Sequence, residues 1–520
     1  MGTKRVKDLP GHGAALAAVP TSPGAPGLAR ARARASAPGR VLTLMLVLAL
    51  TVSACSLAPP LKTPVIPTGE AYKEIGPWTR AQPADRLPRD SWWTLYDSVE
   101  LDDLQKRLIT GNPTLAAALA SYAQARALSD QARAGLFPTI GVGANVSRNR
   151  ESSNAPLRGP TTPTYYNANS LSGSVSYELD LWGQIRNEVA AGEANAAASA
   201  ADLENARLSL IAQLVGDYIQ LRSLDRDSAI LDETVKTYAR ALSLTQQRHD
   251  AGIAPGLDVS QAQTQLDAAR SQSAQTLVQR ALMEHAIAAL LGVSASTFSI
   301  KPEIVAITLP QIPSGVPTTL LERRPDIAAA QRRMIAANAN IGVARAAFFP
   351  SLTLGAQGGF QSTGYANWLS APSSFWAIGP NALLSVFDSG LRRAQVAQAR
   401  AEFDASAANY RSTVVSAFQQ VEDSLATLNH YHDAAVEEKA AVDAAQRTLD
   451  LSMALYKQGA TDYLTVVTSQ TAVLQTQLEA LTLDTLQLSA SVDLIRALGG
   501  GWEDSAAVHN AKVMNVNQRG

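Results

Sequence analysis

Arg133-Ala134-Gly135-Leu136-Phe137-Pro138 and Arg345-Ala346-Ala347-Phe348-Phe349-Pro350 are two copies of one phrase, 350 − 138 = 212 residues apart. Pro113 and Pro325, which stand ahead of these phrases, keep the same offset. Further on, Gly252-x4-Leu257-x-Val259 answers Gly459-x4-Leu464-x-Val466 at 459 − 252 = 207, and Leu291-Gly292 answers Leu498-Gly499 at that offset too. The offset slips by five between the two groups, so a loop between them differs in length. The chain is two copies of a unit of about 200 residues, and a duplication of that size sets the plan before any other reading. It argues for one architecture with pseudo-twofold symmetry, where 520 residues alone would suggest several independent domains.

Working outward from the phrases, Gly and Pro mark the ends of long helices. Neither occurs in residues 391–458, and 68 residues at 1.5 Å each make a helix of about 100 Å. Val396, Ala399, Phe403, Ala407, Tyr410, Val414, Ala417, Val421, Leu425 and Leu428 recur every three or four residues, the pattern of coiled-coil packing. The first copy has its counterpart over 184–250, interrupted only by Gly192 and Gly216. Each long helix meets a Gly turn and then a second helix, over about 257–291 and about 464–498. Shorter helices open at Pro113 and Pro325, residues suited to the first helical position.

Between short and long helices the period changes to two. Ile140, Val142, Ala144 and Val146 alternate with Thr139, Gly141, Asn145 and Ser147. Leu171, Val175, Tyr177 and Leu179 alternate with Ser172, Ser174, Ser176 and Glu178. Leu352, Leu354, Ala356 and Phe360 face away from Thr353 and Gln357, and Trp376, Ile378, Ala382, Leu384 and Val386 form a weaker fourth strand. Strands are expected at 139–147, 170–180, 351–361 and 375–386. One apolar face and one small, polar face is the pattern of a transmembrane barrel, and small residues on the polar face suit a wide, hydrated lumen. Four strands leave two open edges, which lipid does not tolerate. A barrel needs about eight strands, so several chains must pool theirs. Two chains would fill their own interior, whereas three, with twelve strands, leave a channel.

The N-terminus reads as a targeting segment. Arg30, Arg32, Arg34 and Arg40 precede an apolar run at 41–52, too short for the roughly 20 residues a spanning helix needs and suited to a signal-peptide core. The one cysteine, Cys55, excludes a disulfide within the chain. Val52-Ser53-Ala54-Cys55 resembles the bacterial lipobox, which implies cleavage before Cys55 and lipidation of its thiol and new amino group. Ser56 in place of Asp implies sorting to the outer membrane. The expected organisation is a leader and lipoprotein signal over 1–54, a lipidated extended tether rich in Pro, Thr and Ala over 55–90, the two repeats over 91–300 and 301–499, and a flexible tail over 500–520.

In combination, these residues resemble the outer membrane factor family, the TolC-like, NodT-type lipoproteins of tripartite efflux pumps. The resemblance runs from Trp92-Trp93 to Leu498-Gly499. It rests on the lipoprotein cysteine, the two Gly turns, Ala347-Phe348-Phe349-Pro350, Leu320-Leu321-Glu322-Arg323-Arg324-Pro325-Asp326-Ile327 and Glu178-Leu179-Asp180-Leu181-Trp182-Gly183. It implies a mainly α fold with membrane β: a duplicated coiled-coil helical barrel carrying a β-barrel shared by a homotrimer, four strands per chain and twelve in all. It places the helices in the periplasm and implies two partners, a periplasmic adaptor and an inner-membrane pump, typically of the proton-driven RND type. The turns at Gly252 and Gly459 lie at the ends of the long helices away from the strands. They are therefore tips, and the resemblance makes Gly252, Leu257, Val259, Tyr456, Gly459, Leu464 and Val466 an adaptor-docking surface. It also makes Asp258 and Tyr456 a candidate latch that holds the tip end shut, with helix N-capping as the alternative role for Asp258. The family pattern has acids where this chain has Thr465 and Thr468, and an Arg where it has Thr461, which implies a less charged aperture.

A net charge of −1 with 17% charged residues offers no basic field for nucleic acid. The six histidines form no ligand constellation, and His430 and His432, two apart on a helix, point to different faces. No phosphate loop or nucleophile motif is present, so no metal, no cofactor beyond the diacylglycerol and N-acyl lipid on Cys55, and no enzymatic activity is expected. The transport energy must come from partners. The expected function is passive conduction of small toxic compounds through the outer membrane. The alternative within the same architecture is the outlet of an ABC-driven type I protein secretion system, and a pore-free periplasmic scaffold is the structural alternative.

Overall fold

The computed structural model describes residues 56–67, 72–74, 91–154, 159, 161, 163–310, 312 and 324–500, which belong to one compact unit. Cys55, the leader, most of the tether, Leu320-Leu321-Glu322-Arg323 and residues 501–520 lie outside the described residues. The first repeat contributes α1 (Val99–Gly111), α2 (Pro113–Ala134), β1 (Thr139–Arg150), β2 (Tyr165–Glu178), α3 (Gln184–Asp250) and α4 (Gly256–Leu290). The second contributes α5 (Pro325–Ala346), β3 (Ser351–Ser362), β4 (Ser374–Leu383), α6 (Leu391–Gln458) and α7 (Tyr463–Ala497). The expected helices are all present. α6 fills the whole interval between Gly390 and Gly459, and α2 and α5 begin at their prolines.

The long helices α3 and α6 are the continuous members, and the shorter ones stack end to end beside them. Asn112, which caps α2, donates through Nδ2 to Leu290 O at the end of α4, at 2.7 Å. Arg324, which precedes α5, donates to Ala497 O at the end of α7, at 2.9 Å. Each stacked pair therefore runs as one interrupted column. α3 packs against α2 and α4 on one side and α5 and α7 on the other, and α6 packs against α5 and α7. The order across the molecule is α2/α4, α3, α5/α7, α6. The antiparallel sheet β1-β2-β3-β4 follows the same order, each strand continuing one column. The chain is a sector four helices and four strands wide, with two flanks.

The core lies at mid-height, where the interrupted columns meet. Trp92, Leu101, Leu108, Leu214, Val215, Ile219, Ile287, Val421, Leu425, Leu494 and Ile495 are buried in it. Every apolar position expected on the 391–428 stripe is at least half-buried. Beside this core sits a buried ion cluster. Asp225 accepts from Arg222 at 2.7 Å, from Arg280 Nε at 2.6 Å and from the Glu303 N–H at 3.2 Å. Arg222 also reaches Glu100 on α1, and Arg280 reaches Glu284. The cluster ties α1, α3, α4 and the segment after α4 together, and none of it carries a periodicity that sequence reading detects.

The strands differ from expectation at their ends. β1 and β2 keep pairing out to Arg150↔Tyr165, so β2 starts five residues before the expected 170 and the loop at 148–169 shortens to 151–164. β4 stops at Leu383, and Leu384 and Val386 lie beyond the ladder. The alternation of Leu384 and Val386 is real, but β3 begins at Ser351, paired with Leu383, and leaves them no partner strand.

Two outcomes are expected in unfolding experiments. Asp225→Ala leaves Arg222 and Arg280 buried without their shared carboxylate and should cost about 3–5 kcal/mol. Burial pushes the Asp217 carboxyl of α3 up to about 6, and its Oδ2 has no hydrogen-bond partner among the described residues. A raised pKa means the folded state favours the neutral acid, so its stabilising contribution, full at low pH, is lost as pH rises through about 6. The Tm gain of Asp217→Asn over wild type should therefore grow between pH 4 and pH 7 and be absent at the acid end.

Candidate functional site

The end remote from the sheet is built by two matching turns. At the first, Gly252 N donates to His249 O and Ile253 N to Arg248 O, both at 2.8 Å. At the second, Gly459 N donates to Tyr456 O and Ala460 N to Leu455 O, at 3.0 and 2.9 Å. Both are Schellman ends, and both glycines are left-handed, with φ of 75° and 76°. That conformation explains why Gly recurs here at the 207 spacing: any Cβ costs about 1 kcal/mol in it.

The expected tip residues divide by burial. Gly252, Leu257, Gly459 and Leu464 are exposed and Val259 is half-exposed, whereas Tyr456 and Val466 are buried in a small core with Ala262 and Tyr463. Leu257 and Leu464 are 64% and 56% exposed, large apolar groups held out at the molecule's end. Tyr456 and Val466 support that surface from beneath.

Tyr456 Oη lies 3.4 Å from Asp258 Oδ2, at the long limit of a hydrogen bond, and both groups belong to the same chain. Burial first, and the Asp258 carboxylate second, raises the Tyr456 hydroxyl above its ordinary pKa, so it remains a donor at neutral pH. Its ring packs at 5.2 Å from Tyr463, and the Arg248 guanidinium sits 4.8 Å from its centroid while donating to Lys457 O. Asp258 does not take the alternative N-cap role. Pro255 occupies the N-cap of α4, and Asp258 lies in the first turn, where an acid complements the helix dipole. The capping acid at this end is Asp462, which sequence reading passed over. Its Oδ1 accepts from Thr465 N at 3.0 Å and Thr465 Oγ1 at 2.6 Å, and Thr461 Oγ1 donates to Thr465 at 3.2 Å. Asp three residues before a helical Thr was the available signal.

At the other end, the apolar alternation resolves into one continuous face. Ile140 pairs with Val175 and Val175 with Ala356, and Ala356 pairs with Ile378. Cα partners share a face, so the sheet is apolar on one side and carries Ser170, Ser172, Ser174, Ser176, Gln357 and Gln361 on the other. The repeated phrase forms the joint between helix and sheet. Phe349 stacks on Trp182 with centroids 4.6 Å apart, Trp182 Nε1 donates to Pro350 O at 2.8 Å, and the Arg392 guanidinium covers the Phe348 ring 5.4 Å from its centroid. Asp180 and Asp388 clamp the starts of the long helices through backbone N–H groups and through Arg186 and Arg392. Near this joint Ser56 donates to Asn187 at 2.9 Å, Asn338 to Pro59 O at 2.9 Å and Arg345 to Leu57 O at 3.1 Å. The chain directly after Cys55 is thus held where α3 begins and α5 ends.

A helical sector of about 100 Å with glycine tips at one end, and at the other a two-faced sheet ending in open edges, defines a channel subunit. The chain belongs to the outer membrane efflux protein family, whose model matches residues 104–293 and 316–500. Among its relatives are the probable efflux pump outer membrane protein TtgC of Pseudomonas putida, 30% identical over 482 residues, covering 92% of this chain and 99% of that one. The pyoverdine export outer membrane protein OpmQ of Pseudomonas putida is 33% identical over 469 residues, covering 88% and 97%. Of solved structures, the outer-membrane channel OprN superposes with a TM-score of 0.80 at 29% identity, covering 86% of this chain and all of that one. The chain is an outer-membrane efflux channel protein with a TolC-like fold.

At the tip, Tyr456→Phe removes one long hydrogen bond and should cost less than about 1 kcal/mol. Tyr456→Ala opens a cavity in the tip core and should cost about 3 kcal/mol or more. Chemical denaturation of the two variants separates these values.

Proposed function

We propose that three copies of this chain form the outer-membrane duct of a tripartite efflux system, conducting small toxic compounds passively from an inner-membrane pump and a periplasmic adaptor to the outside. The helical part stands in the periplasm, the sheet in the membrane, and the lipid on Cys55 is a second anchor. The exposed apolar tips at Gly252, Leu257, Gly459 and Leu464 receive the adaptor. Efflux and export in the names of TtgC and OpmQ support this reading.

The observation that carries the assembly is the pair of flanks. Within the chain, column two meets column three through the Trp182–Phe349 stack. The repeat places Phe137 where Phe349 stands, and Ser389 where Trp182 stands, on opposite flanks. Phe137 is 69% exposed, and Phe387, two residues before Ser389, is 85% exposed. Likewise β1 and β4 each have one unpaired edge. Two different complementary flanks make a head-to-tail interface, which closes as a ring. Three sectors give twelve strands, wide enough for a lumen lined by the serine and glutamine face. Catalysis has no place in this scheme, since the cargo is passed on unchanged.

Phe137→Glu should abolish most of the trimer seen by native mass spectrometry of detergent-extracted protein while leaving the helical circular dichroism of the subunit intact. Wild type should show ion conductance in a planar bilayer and restore drug resistance to a strain lacking the chain, and Phe137→Glu should do neither. A monomeric wild type, or a deletion strain with unchanged sensitivity to every toxic compound tried, would overturn the proposal.

A further inference from the structure

The four strands contain three charged residues, Arg148, Arg150 and Glu178, and their placement is uneven. Glu178 falls on the serine face, in step with Ser176 and Ser174, at the helix end of the sheet. Both arginines fall on the apolar face, in step with Ile140, Val142, Ala144 and Val146, at the hairpin end. They lie directly beyond the apolar band: Arg148 is one pleat, about 7 Å, past Val146, and Arg150 is about 7 Å further. Both are exposed, and neither forms an ion pair among the described residues; Arg150 sits 5.8 Å from the Tyr165 ring centroid. No acidic side chain shares this face on any strand. Arg148 pairs in register with Asn167, and Arg150 with Tyr165, so the surroundings are polar but uncharged. Beside them Asn169, paired with Val146 and Ser362 on the same face, is 1% exposed, and neither of its side-chain polar atoms is hydrogen-bonded among the described residues.

We infer that Arg148 and Arg150 form a binding site for the phosphorylated sugar headgroup of the glycolipid that makes up the outward leaflet of an outer membrane, the lipid A class. The inference rests on the proposed membrane reading, in which the apolar face meets lipid and the hairpin end faces outward. A lone cation on a lipid-facing strand is stable only near the interface, where it meets headgroups. Two arginines one pleat apart on the same strand face, about 7 Å between their backbone positions and without a counter-ion among the described residues, match a headgroup bearing more than one phosphate, because guanidinium binds phosphate oxygens in bidentate fashion. Tyr165 and Asn167 add a hydroxyl and an amide for sugar oxygens. β1 is a flank strand, so in the proposed ring each site lies beside the subunit joint, one site per chain.

The second copy of the repeat lacks the pair. At the 212 offset, Arg148 corresponds to Phe360 and Arg150 to Ser362. The site is therefore a property of the first hairpin, and the proposed trimer carries three such sites and not six.

The test uses the full-length protein in lipid nanodiscs, probed by native mass spectrometry with bisphosphorylated lipid A, its dephosphorylated form and phosphatidylglycerol. Wild type should retain bisphosphorylated lipid A about tenfold more strongly than either other lipid, and Arg148→Ser/Arg150→Ser should lose that preference. Arg148→Lys/Arg150→Lys should keep part of it, since the charge survives and the bidentate geometry does not. Equal retention of lipid A by wild type and the serine variant overturns the inference, as does equal retention of phosphatidylglycerol by wild type. Bilayer conductance of the same preparations separates the two proposals: a conducting wild type without lipid A preference refutes the site alone, whereas a wild type that neither conducts nor assembles refutes the channel reading.

Discussion

The backbone N–H and C=O groups along the free edges of β1 and β4 set the terms for the rest of the molecule. In water such edges are tolerable, but in hydrocarbon each unpaired group costs several kcal/mol, and a sheet of four strands cannot bend far enough to satisfy itself. The helical arc repeats that incompleteness on a larger scale, because each strand continues one column and the columns end in the same two flanks. In the proposed assembly, edge pairing of the sheet and flank packing of the helices are thus a single geometric requirement, and the proposed ring of three sectors meets both at once.

Duplication makes such a ring economical to encode. A joint built once, the aromatic phrase ahead of a strand packed on the start of the neighbouring long helix, serves inside the chain as Phe349 on Trp182. In the proposed assembly the corresponding joint falls between chains, where Phe137 meets a flank that carries Ser389 at the Trp182 position and Phe387 two residues before it. The copies diverge where their tasks differ. The tips share their Schellman backbone, but Asp258 of one answers Thr465 of the other, and the second tip has its own capping chain through Thr461, Thr465 and Asp462. The sheet diverges at its hairpin end, where only the first hairpin carries arginines.

Much of the architecture was legible because it depends on punctuation and period. The glycine-free interval before Gly459, the prolines at 113 and 325 and the two-residue alternation are local properties, and the helices follow them nearly residue for residue. Strand ends were less legible, since pairing decides them: Leu384 and Val386 alternate correctly yet have no partner strand. The candidate site was legible in part. Glycine turns announce themselves, but the tip list implied by the family resemblance mixed exposed Leu257 and Leu464 with buried Tyr456 and Val466. Polar networks were invisible, because Asp225 meets Arg280 across 55 residues and Trp182 meets Pro350 across 168, separations that no periodicity encodes.

By itself, the sequence determined that the chain is duplicated, that helices of about 100 Å alternate with short two-faced strands, and that no chain of this kind closes a barrel alone. These are consequences of spacing and residue type, which act within a few residues of the backbone. Only the tertiary structure decided the order of columns, the coincidence of that order with the strand order, and which side chains of the tip face outward. It alone aligned Arg148 and Arg150 with the apolar face above Val146, because a face exists only once neighbouring strands have settled into register.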